Sequence, residues 1–153
     1  PDRRPGDGAR REAVMYSYLH KVQYYETDQM RVVHHANYIR WMEEARLAYL
    51  NSAGVDYADM EQRGILSPVL SVSCQYRSMT RFGDTVRVEA TLIEAGSVRY
   101  RLTYRIVDSE SGTVRAEGES SHCFVSPEGR VLSLKRADAA LLAKMQAELE
   151  APR

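Results

Sequence analysis

Apolar side chains recur at helical spacing between residues 36 and 53. The residues that share this face are Tyr38, Trp41, Met42, Ala45, Ala48 and Tyr49. Gly54 follows at the position of a C-terminal cap, so the spacing predicts one helix over residues 36–53. Further apolar residues, Ile39, Leu47 and Leu50, widen the apolar surface beyond a single stripe. We therefore expect a sheet to surround this helix.

Alternation of apolar and polar residues predicts strands on both sides of this helix. The alternating stretches are residues 16–26, 72–76, 86–92, 100–106 and 114–125. Turn residues such as Gly83, Gly96 and Gly112 separate the later stretches, so these strands are expected to form an antiparallel sheet. Two more helices are predicted, a short one capped by Asp56 and an amphipathic one over residues 136–149.

The order of one strand, a long apolar helix and four strands predicts an α+β hot-dog fold. In this fold an antiparallel sheet wraps around the long helix, and here a further helix ends the chain. Residues 16–150 are expected to form a single domain, and residues 1–15 are interpreted as a polar tail. Such a sheet leaves an edge strand that a second copy can cover, so we expect a homodimer or a dimer of dimers.

Composition narrows the classes of function. The 21 basic and 21 acidic side chains balance, which argues against a nucleic-acid or anionic-membrane partner. The apolar runs are too short to span a bilayer and no signal-peptide core is visible, so we expect a cytoplasmic protein. Cys74 and Cys123 lack the spacing of a metal or redox motif and are interpreted as reduced core thiols.

The most informative segment runs from Tyr24 to Tyr38 and reads YYETDQMRVVHHANY. It places a loop acid, Asp28, before a helix whose start carries His35. Unpaired backbone N–H groups at a helix N-terminus can hold a developing oxyanion while the acid acts on an electrophile. This arrangement suits the transfer of an acyl group to water.

With this motif and this order of elements, the chain resembles the 4-hydroxybenzoyl-CoA thioesterase family, and within it the YbgC/FadM-like acyl-CoA thioesterases. The resemblance covers about residues 18–134. Asp28, His35, Asn37 and Tyr38 fall on the positions of the family's pattern of an acid, a short loop and a helix start. The resemblance implies hydrolysis of acyl-CoA thioesters to the free acid and CoA.

Two further segments bear on this resemblance. Residues 76–84 resemble the family's turn after the strand that follows the helices. Met30 and Arg31 stand where the family commonly has Ala-Gly or Gly-Gly. Arg31 is therefore expected to alter the path of the catalytic loop or the surroundings of the thioester.

The resemblance implies that Asp28 is either a general base for water or a nucleophile that attacks the thioester. The alternative is a carboxylate that merely caps a turn or the following helix. The His35 backbone N–H is expected to polarise the thioester carbonyl, and its imidazole to orient Asp28 or water. The alternative is a half-buried histidine without a chemical role. No metal site is expected at His34 and His35, because adjacent histidines usually diverge and no third ligand is evident.

Candidate substrate contacts lie on the long helix. Tyr38 and Trp41 pack in the core and are expected to border the acyl pocket, and the place of Asn37 in the family motif implies a contact there too. Glu43 is either an acid that faces the acyl tail or a solvated helix charge.

Arginines are candidates to bind the phosphates of CoA by paired hydrogen bonds. Arg77 and Arg81 are the foremost, and Arg99, Arg101 and Arg105 extend the set on the strands. The alternative for each one is a solvated sheet residue. CoA is part of the substrate, and no separate cofactor is expected.

Two other functions remain open from the sequence. The same pocket can serve an acyl-carrier-protein thioesterase, which would need a positive face for its acidic carrier. A non-catalytic acyl-CoA-binding module would normally bring a DNA-binding domain, and none is visible in the sequence. A hot-dog dehydratase is disfavoured, because its acid and histidine are expected on separate elements.

Overall fold

A five-stranded antiparallel sheet wraps around one long helix in the computed structural model, which describes residues 15–149. The elements in chain order are β1 (Met15–Lys21), α1 (Ala36–Ser52), α2 (Tyr57–Gln62), β2 (Val69–Tyr76), β3 (Thr85–Ala95), β4 (Arg99–Asp108), β5 (Val114–Cys123), α3 (Leu134–Ala137) and α4 (Ala139–Leu149). The strand order is β1-β3-β4-β5-β2, so β1 and β2 are the two edges. The predicted tail lies outside the described residues except for Met15, which opens β1.

The core is the space between α1 and the concave face of the sheet. Trp41 and Ala45 of α1 are fully buried, as are alternate residues of β3 and β4 such as Val88 and Leu102. This alternation places every second strand residue under the helix, as the sequence predicts. Helix α4 packs on β3 and closes the core beside α1.

Gly118 of β5 allows the close approach of two neighbours. A Cβ at this position would lie 2.2 Å from the Ser73 carbonyl oxygen of β2 and 3.1 Å from the Met42 sulfur of α1. A larger residue would therefore force β2 or α1 away from β5. The glycine therefore permits the close packing of β2 and α1 against β5.

Strand β2 is an apolar edge. Its large residues are exposed in the single chain, with Val69 at 49%, Leu70 at 51% and Tyr76 at 45%. Exposed apolar edges are templates for pairing with another chain. Cys74 on this strand is half-buried and Cys123 on β5 is buried, and both are free thiols as expected.

Two predicted strand ends are wrong. The first strand ends at Lys21 rather than at residue 26, and Tyr24–Glu26 forms a 3-10 turn. Strand β5 ends at Cys123, two residues early, because Val125 pairs locally with Leu66 and with Val131.

The predicted terminal helix is divided in two at Asp138. There the backbone is extended, and the Asp138 carboxylate accepts a hydrogen bond from the Leu141 N–H at 3.0 Å and pairs with Arg63. Among residues 15–149, no helix combines the length and hydrophobicity needed to cross a bilayer.

Candidate active site

The loop between the 3-10 turn and α1 holds Asp28 in one orientation. Its Oδ1 accepts hydrogen bonds from the backbone N–H groups of Met30 at 2.8 Å and Val32 at 3.4 Å. The backbone closes the same turn, because the Asp28 N–H donates to the Val32 carbonyl at 2.9 Å. Asp28 Oδ2 has no donor in the described part of the chain, and the side chain is exposed. The carboxylate therefore caps its turn with one oxygen and leaves the other free.

Arg31 has a left-handed backbone, with φ of 65°. A side chain disfavours this conformation, which glycine adopts freely. The family that the chain resembles commonly has glycine at this position. Arg31 adopts the same turn with local backbone strain. The expected effect of Arg31 on the path of the loop or on the surroundings of the thioester stays a prediction.

The start of α1 presents a free backbone donor. The His34 N–H donates to the Glu26 carbonyl at 2.9 Å, and the Ala36 N–H donates to His34 Nδ1 at 3.2 Å. Within residues 15–149 the His35 N–H between them has no acceptor. It lies at the positive end of a helix of 17 residues. This N–H is available to a partial negative charge on a ligand.

The two histidine rings do not diverge as expected. His34 and His35 stack with centroids 4.2 Å apart, because His34 turns its Nδ1 toward the Ala36 N–H. His35 also meets Tyr76 edge-on, and the Tyr76 hydroxyl donates to the His35 carbonyl at 3.0 Å. In the described range no three His, Cys, Asp or Glu residues are grouped as metal ligands would be.

Glu26 is a buried carboxylate that the sequence analysis missed. Its oxygens accept hydrogen bonds from the Gln23 N–H and the Trp41 indole N–H, each at 2.8 Å, and His20 Nε2 lies 2.8 Å away. Burial alone would raise the pKa of Glu26, but these hydrogen bonds outweigh burial and leave the pKa below its ordinary value. The signal in the sequence was the Gln23-x-x-Glu26 spacing of a helical cap.

Two residues that are predicted to contact substrate, Trp41 and Asn37, form hydrogen bonds that hold this loop in place. Trp41 is fully buried against His20 and bonded to Glu26. Asn37 is buried, and its amide donates to the carbonyls of Glu26 at 3.0 Å and His34 at 3.3 Å. The structure therefore gives both residues a positioning role, and their contact with substrate stays a prediction.

Asp28 and His35 lie beside two different depressions of the single chain. Asp28 lines an open cleft of about 740 Å³ together with Tyr24, Thr27, Arg31 and Phe82. His35 lines a more apolar cleft of about 430 Å³, whose other residues are Val32, Val33, Tyr38, Tyr76, Arg77, Ser78 and Met79. Val32 connects the two clefts, because it borders the second and its N–H contacts the Asp28 carboxylate.

The arginines are dispersed rather than gathered into one patch. Arg77 borders the cleft of His35 and pairs with Glu117 at 3.1 Å. Arg81 pairs with Val32 through a backbone bridge and is exposed, and no carboxylate in the described range pairs with its side chain. Arg101 is held by Glu94 and Glu119 on the outer face of β4. Arg77 thus lines the cleft of His35, and Arg31, which was not among the candidates, lines the cleft of Asp28. The binding of CoA by Arg77 and Arg81 stays a prediction.

Glu43 borders a buried polar cluster instead of lying free in solvent. It pairs with Arg46, with Oε1 3.2 Å from the Arg46 Nε. Arg46 is 1% exposed and also donates to the Tyr100 hydroxyl, which lies 2.7 Å from the Ser67 hydroxyl. The sequence analysis missed this buried charge, since a lone arginine on an amphipathic helix is usually solvated.

Comparison with known proteins places the fold in a family. Residues 22–151 match the thioesterase-like superfamily. The putative acyl-CoA thioesterase YneP of Bacillus subtilis is 36% identical over 108 residues, which cover 71% of this chain and 78% of that protein. A putative esterase of Aquifex aeolicus is 31% identical over 121 residues, which cover 79% of this chain and 92% of that protein.

A solved structure agrees with these sequence matches. The DHNA-CoA thioesterase of Staphylococcus aureus superposes with a TM-score of 0.81 at 29% identity, covering 87% of this chain and 91% of that one. The match confirms the hot-dog fold that the sequence predicts. The predicted class of thioester hydrolase is confirmed as well, and the chain belongs to the thioesterase-like superfamily.

Proposed function

We propose that the protein hydrolyses acyl-CoA thioesters to the free acid and CoA at the rim where the two clefts meet beside Val32. One observation carries this proposal. Asp28 Oδ2 and the His35 N–H both lack a partner in the described chain, and Val32, whose N–H contacts the Asp28 carboxylate, also lines the cleft of His35. A carboxylate and an oxyanion donor together are sufficient for hydrolysis of a thioester, one to activate or replace the attacking water and the other to stabilise the negative oxygen.

Asp28 acts on the carbonyl carbon in one of two ways. As a general base, Oδ2 takes a proton from the attacking water. As a nucleophile, Oδ2 attacks the thioester, thiolate leaves, and water then hydrolyses the resulting anhydride. In both cases the Met30 and Val32 N–H groups orient the carboxylate through Oδ1.

The His35 N–H acts on the thioester oxygen in the same reaction. The thioester oxygen becomes negative as the tetrahedral intermediate forms, and a preorganised N–H at a helix N-terminus stabilises that charge without reorganisation. The N–H groups of His34 and Ala36 are bonded to their neighbours, so the His35 N–H is the donor between them without an acceptor in the described chain. Its imidazole, stacked on His34, packs beside the donor.

In this proposal the acyl group and CoA bind next to each other at the cleft of His35. The acyl group enters the apolar cleft beside Tyr38 and Tyr76. Arg81 is exposed and pairs with Val32 through a backbone bridge, and Arg77 borders the cleft of His35. In this proposal these two arginines bind the phosphates of CoA. A guanidinium binds phosphate oxygens by paired hydrogen bonds.

A second copy of the chain completes the site by covering the β2 edge. Leu70 and Tyr76 are too exposed on this edge for an isolated chain, and the cleft of His35 opens beside Tyr76. Pairing of two β2 edges would bury these residues and close the cleft. The working enzyme in this proposal is therefore at least a homodimer.

The experiment that tests the proposal is thiol release from a panel of substrates. The panel contains aromatic, short-chain and long-chain acyl-CoAs and one acyl-carrier-protein thioester. Release of CoA above the uncatalysed rate from at least one acyl-CoA supports the proposal. Release from the carrier protein alone, or from no substrate at all, contradicts it.

A further inference from the structure

The cleft of Asp28 is larger than the catalytic carboxylate needs. Its volume is about 740 Å³, which is in the range of sites that hold a whole small molecule. The proposed reaction uses only Asp28 Oδ2 in this cleft. The other residues that line it are Tyr24, Tyr25, Thr27, Gln29, Arg31 and Phe82. Most of the cleft therefore has no part in the chemistry of the thioester.

Two aromatic rings are exposed in this cleft. Tyr24 is 78% exposed and Phe82 is 58% exposed, whereas Phe124 is fully buried in the core. The rings of Tyr24 and Phe82 meet edge to face with centroids 5.8 Å apart, so they form one pair on the surface. Exposed rings offer π faces on which a planar base can stack.

Arg31 adds a positive charge beside Phe82. Val32 and Arg81 form an antiparallel bridge, so their neighbours at the same end of the bridge, Arg31 and Phe82, come close together. Both line the cleft, and no carboxylate of the described chain pairs with the Arg31 guanidinium. This exposed guanidinium is therefore available to bind an anion by paired hydrogen bonds.

The strained backbone of Arg31 indicates that its side chain has a role. Its φ is 65°, a conformation that glycine adopts without strain. Strained residues of this kind are frequent at ligand sites, where the surrounding structure holds them in place. The turn alone would be more stable with glycine, so the guanidinium is the feature that the strain retains.

A planar base that carries a phosphate fits this combination of rings and cation. CoA has such a group at the end remote from the thioester, an adenine on a ribose with a 3′-phosphate. We infer that the cleft of Asp28 binds this 3′-phosphoadenosine, with Tyr24 and Phe82 stacked on the adenine and Arg31 bonded to the 3′-phosphate.

This inference rests on the proposed function, in which Arg81, the residue directly before Phe82, binds a phosphate of CoA. It adds a basis for selecting the carrier of the acyl group. An acyl-carrier-protein thioester ends the same arm without an adenine, so it makes none of the contacts with Tyr24, Phe82 and Arg31. The cleft therefore favours CoA thioesters over thioesters that lack the nucleotide.

The test compares one acyl group on three carriers. These are CoA, dephospho-CoA, which lacks the 3′-phosphate, and pantetheine, which lacks the whole nucleotide. Arg31→Gln is expected to lower kcat/KM at least about tenfold for the CoA thioester and less than about twofold for the other two. Phe82→Leu keeps an apolar side chain without a π face. It is expected to lower kcat/KM about fivefold for both carriers that contain adenine, and not for pantetheine.

The selective loss distinguishes binding of the nucleotide from support of the fold. A structural role would lower turnover of all three thioesters alike, and that result overturns the inference. Equal kcat/KM of the wild type for the CoA and pantetheine thioesters overturns it too. Arg31→Gly is the second variant, because it removes the guanidinium together with the strained backbone. It is expected to show the same selective loss without a loss of stability.

Arg130→Gln is the matched control. Arg130 is also exposed next to a turn and has no carboxylate partner in the described chain, but it lines neither cleft. Its replacement is expected to leave kcat/KM unchanged for all three thioesters. An equal loss in Arg130→Gln and Arg31→Gln would reduce the effect to the overall charge of the protein and overturn the site.

A second copy of the chain would cover the two rings if they formed a dimer contact instead. Light scattering of Phe82→Leu is expected to give the wild-type mass. A lower mass would assign the rings to an interface between copies and overturn the inference.

Binding of adenosine 3′,5′-bisphosphate separates failure of the inference from failure of the proposed function. Calorimetry is expected to show binding to the wild type that Arg31→Gln weakens at least about tenfold. That result supports the site even if no acyl-CoA is hydrolysed, which sinks only the proposed function. Hydrolysis of acyl-CoA without any effect of Arg31→Gln on binding of the bisphosphate sinks only the site.

Adenosine 5′-monophosphate tests whether the nucleotide is that of CoA. It lacks the 3′-phosphate and is expected to bind at least about tenfold more weakly than the bisphosphate. Equal affinity would assign the cleft to free adenine nucleotides and overturn its assignment to CoA.

Discussion

The Trp41 indole N–H donates a hydrogen bond to Glu26 Oε2 at 2.8 Å, and this contact ties the second turn of α1 to the loop that carries Asp28. Asn37 adds a second tie through the Glu26 carbonyl. Glu26, two residues before Asp28, therefore joins the loop of Asp28 to the start of α1.

Glu26→Gln is expected to lower the free energy of unfolding by about 1–3 kcal/mol, because an amide nitrogen would face N–H donors in a buried site. Urea denaturation at pH 7 measures the change. Glu61→Gln, exposed on α2, is the control and is expected to stay within about 0.5 kcal/mol of wild type. Equal stability of Glu26→Gln and wild type would show that the buried carboxylate does not support the loop.

The difference in stability between wild type and Glu26→Gln is expected to depend on pH. The folded pKa of Glu26 lies below its ordinary value, so its charge contributes stability above about pH 4.3. That contribution is lost as the pH falls through the folded pKa. The difference between wild type and Glu26→Gln is therefore expected to shrink below about pH 4.

Arg31→Gly is expected to stabilise the protein by up to about 1 kcal/mol, since relief of the left-handed strain exceeds the added entropy of the unfolded chain. Arg31→Val is expected to destabilise it, because a β-branched residue tolerates φ of 65° least. Gln29→Gly is the control in the same loop and is expected to lower stability. Denaturant midpoints measure the stability of all three variants. A loss of stability in Arg31→Gly would contradict the claim that the backbone of Arg31 is strained.

His35 permits separate tests of its backbone and its side chain. His35→Ala keeps the N–H and is expected to reduce kcat modestly. His35→Pro removes the N–H, while φ of −57° at this position already suits a proline ring. Loss of an oxyanion donor is expected to lower kcat about 10²-fold to 10³-fold. Equally small effects of both changes on thiol release would show that the N–H does not hold the oxyanion.

Periodicity was enough to predict α1, the antiparallel strands and the place of Asp28 before the helix. It could not predict that Glu26 folds back into the core, because a single acid at the end of an alternating stretch looks like an exposed strand residue. The burial of Arg46 depends on Tyr100, which lies 54 residues away in sequence. The separation of Asp28 and His35 into two clefts depends on how the turn at residues 28–32 closes, which pairwise spacing does not encode.

The assembly expected from the β2 edge is tested by light scattering at micromolar concentration. The wild type is expected to have at least twice the 17.4 kDa mass of one chain. Leu70→Lys places a charge on this edge and is expected to lower the mass, whereas Leu19→Lys on the exposed β1 edge is expected to leave it unchanged. A monomeric wild type with full activity would contradict the shared site.

The role of Asp28 is tested most directly by thiol release from the best acyl-CoA of the panel, measured for wild type, Asp28→Asn and Asp108→Asn. Asp108 is the control because its carboxylate also caps backbone N–H groups of its own turn, those of Glu110 and Ser111, and it lines neither cleft. Asp28→Asn keeps the shape of the turn but removes the base or nucleophile, so its kcat is expected to fall at least about 10²-fold while Asp108→Asn stays near wild type. Turnover by folded Asp28→Asn within about threefold of the control would contradict the account, because the oriented carboxylate would then be a turn cap alone.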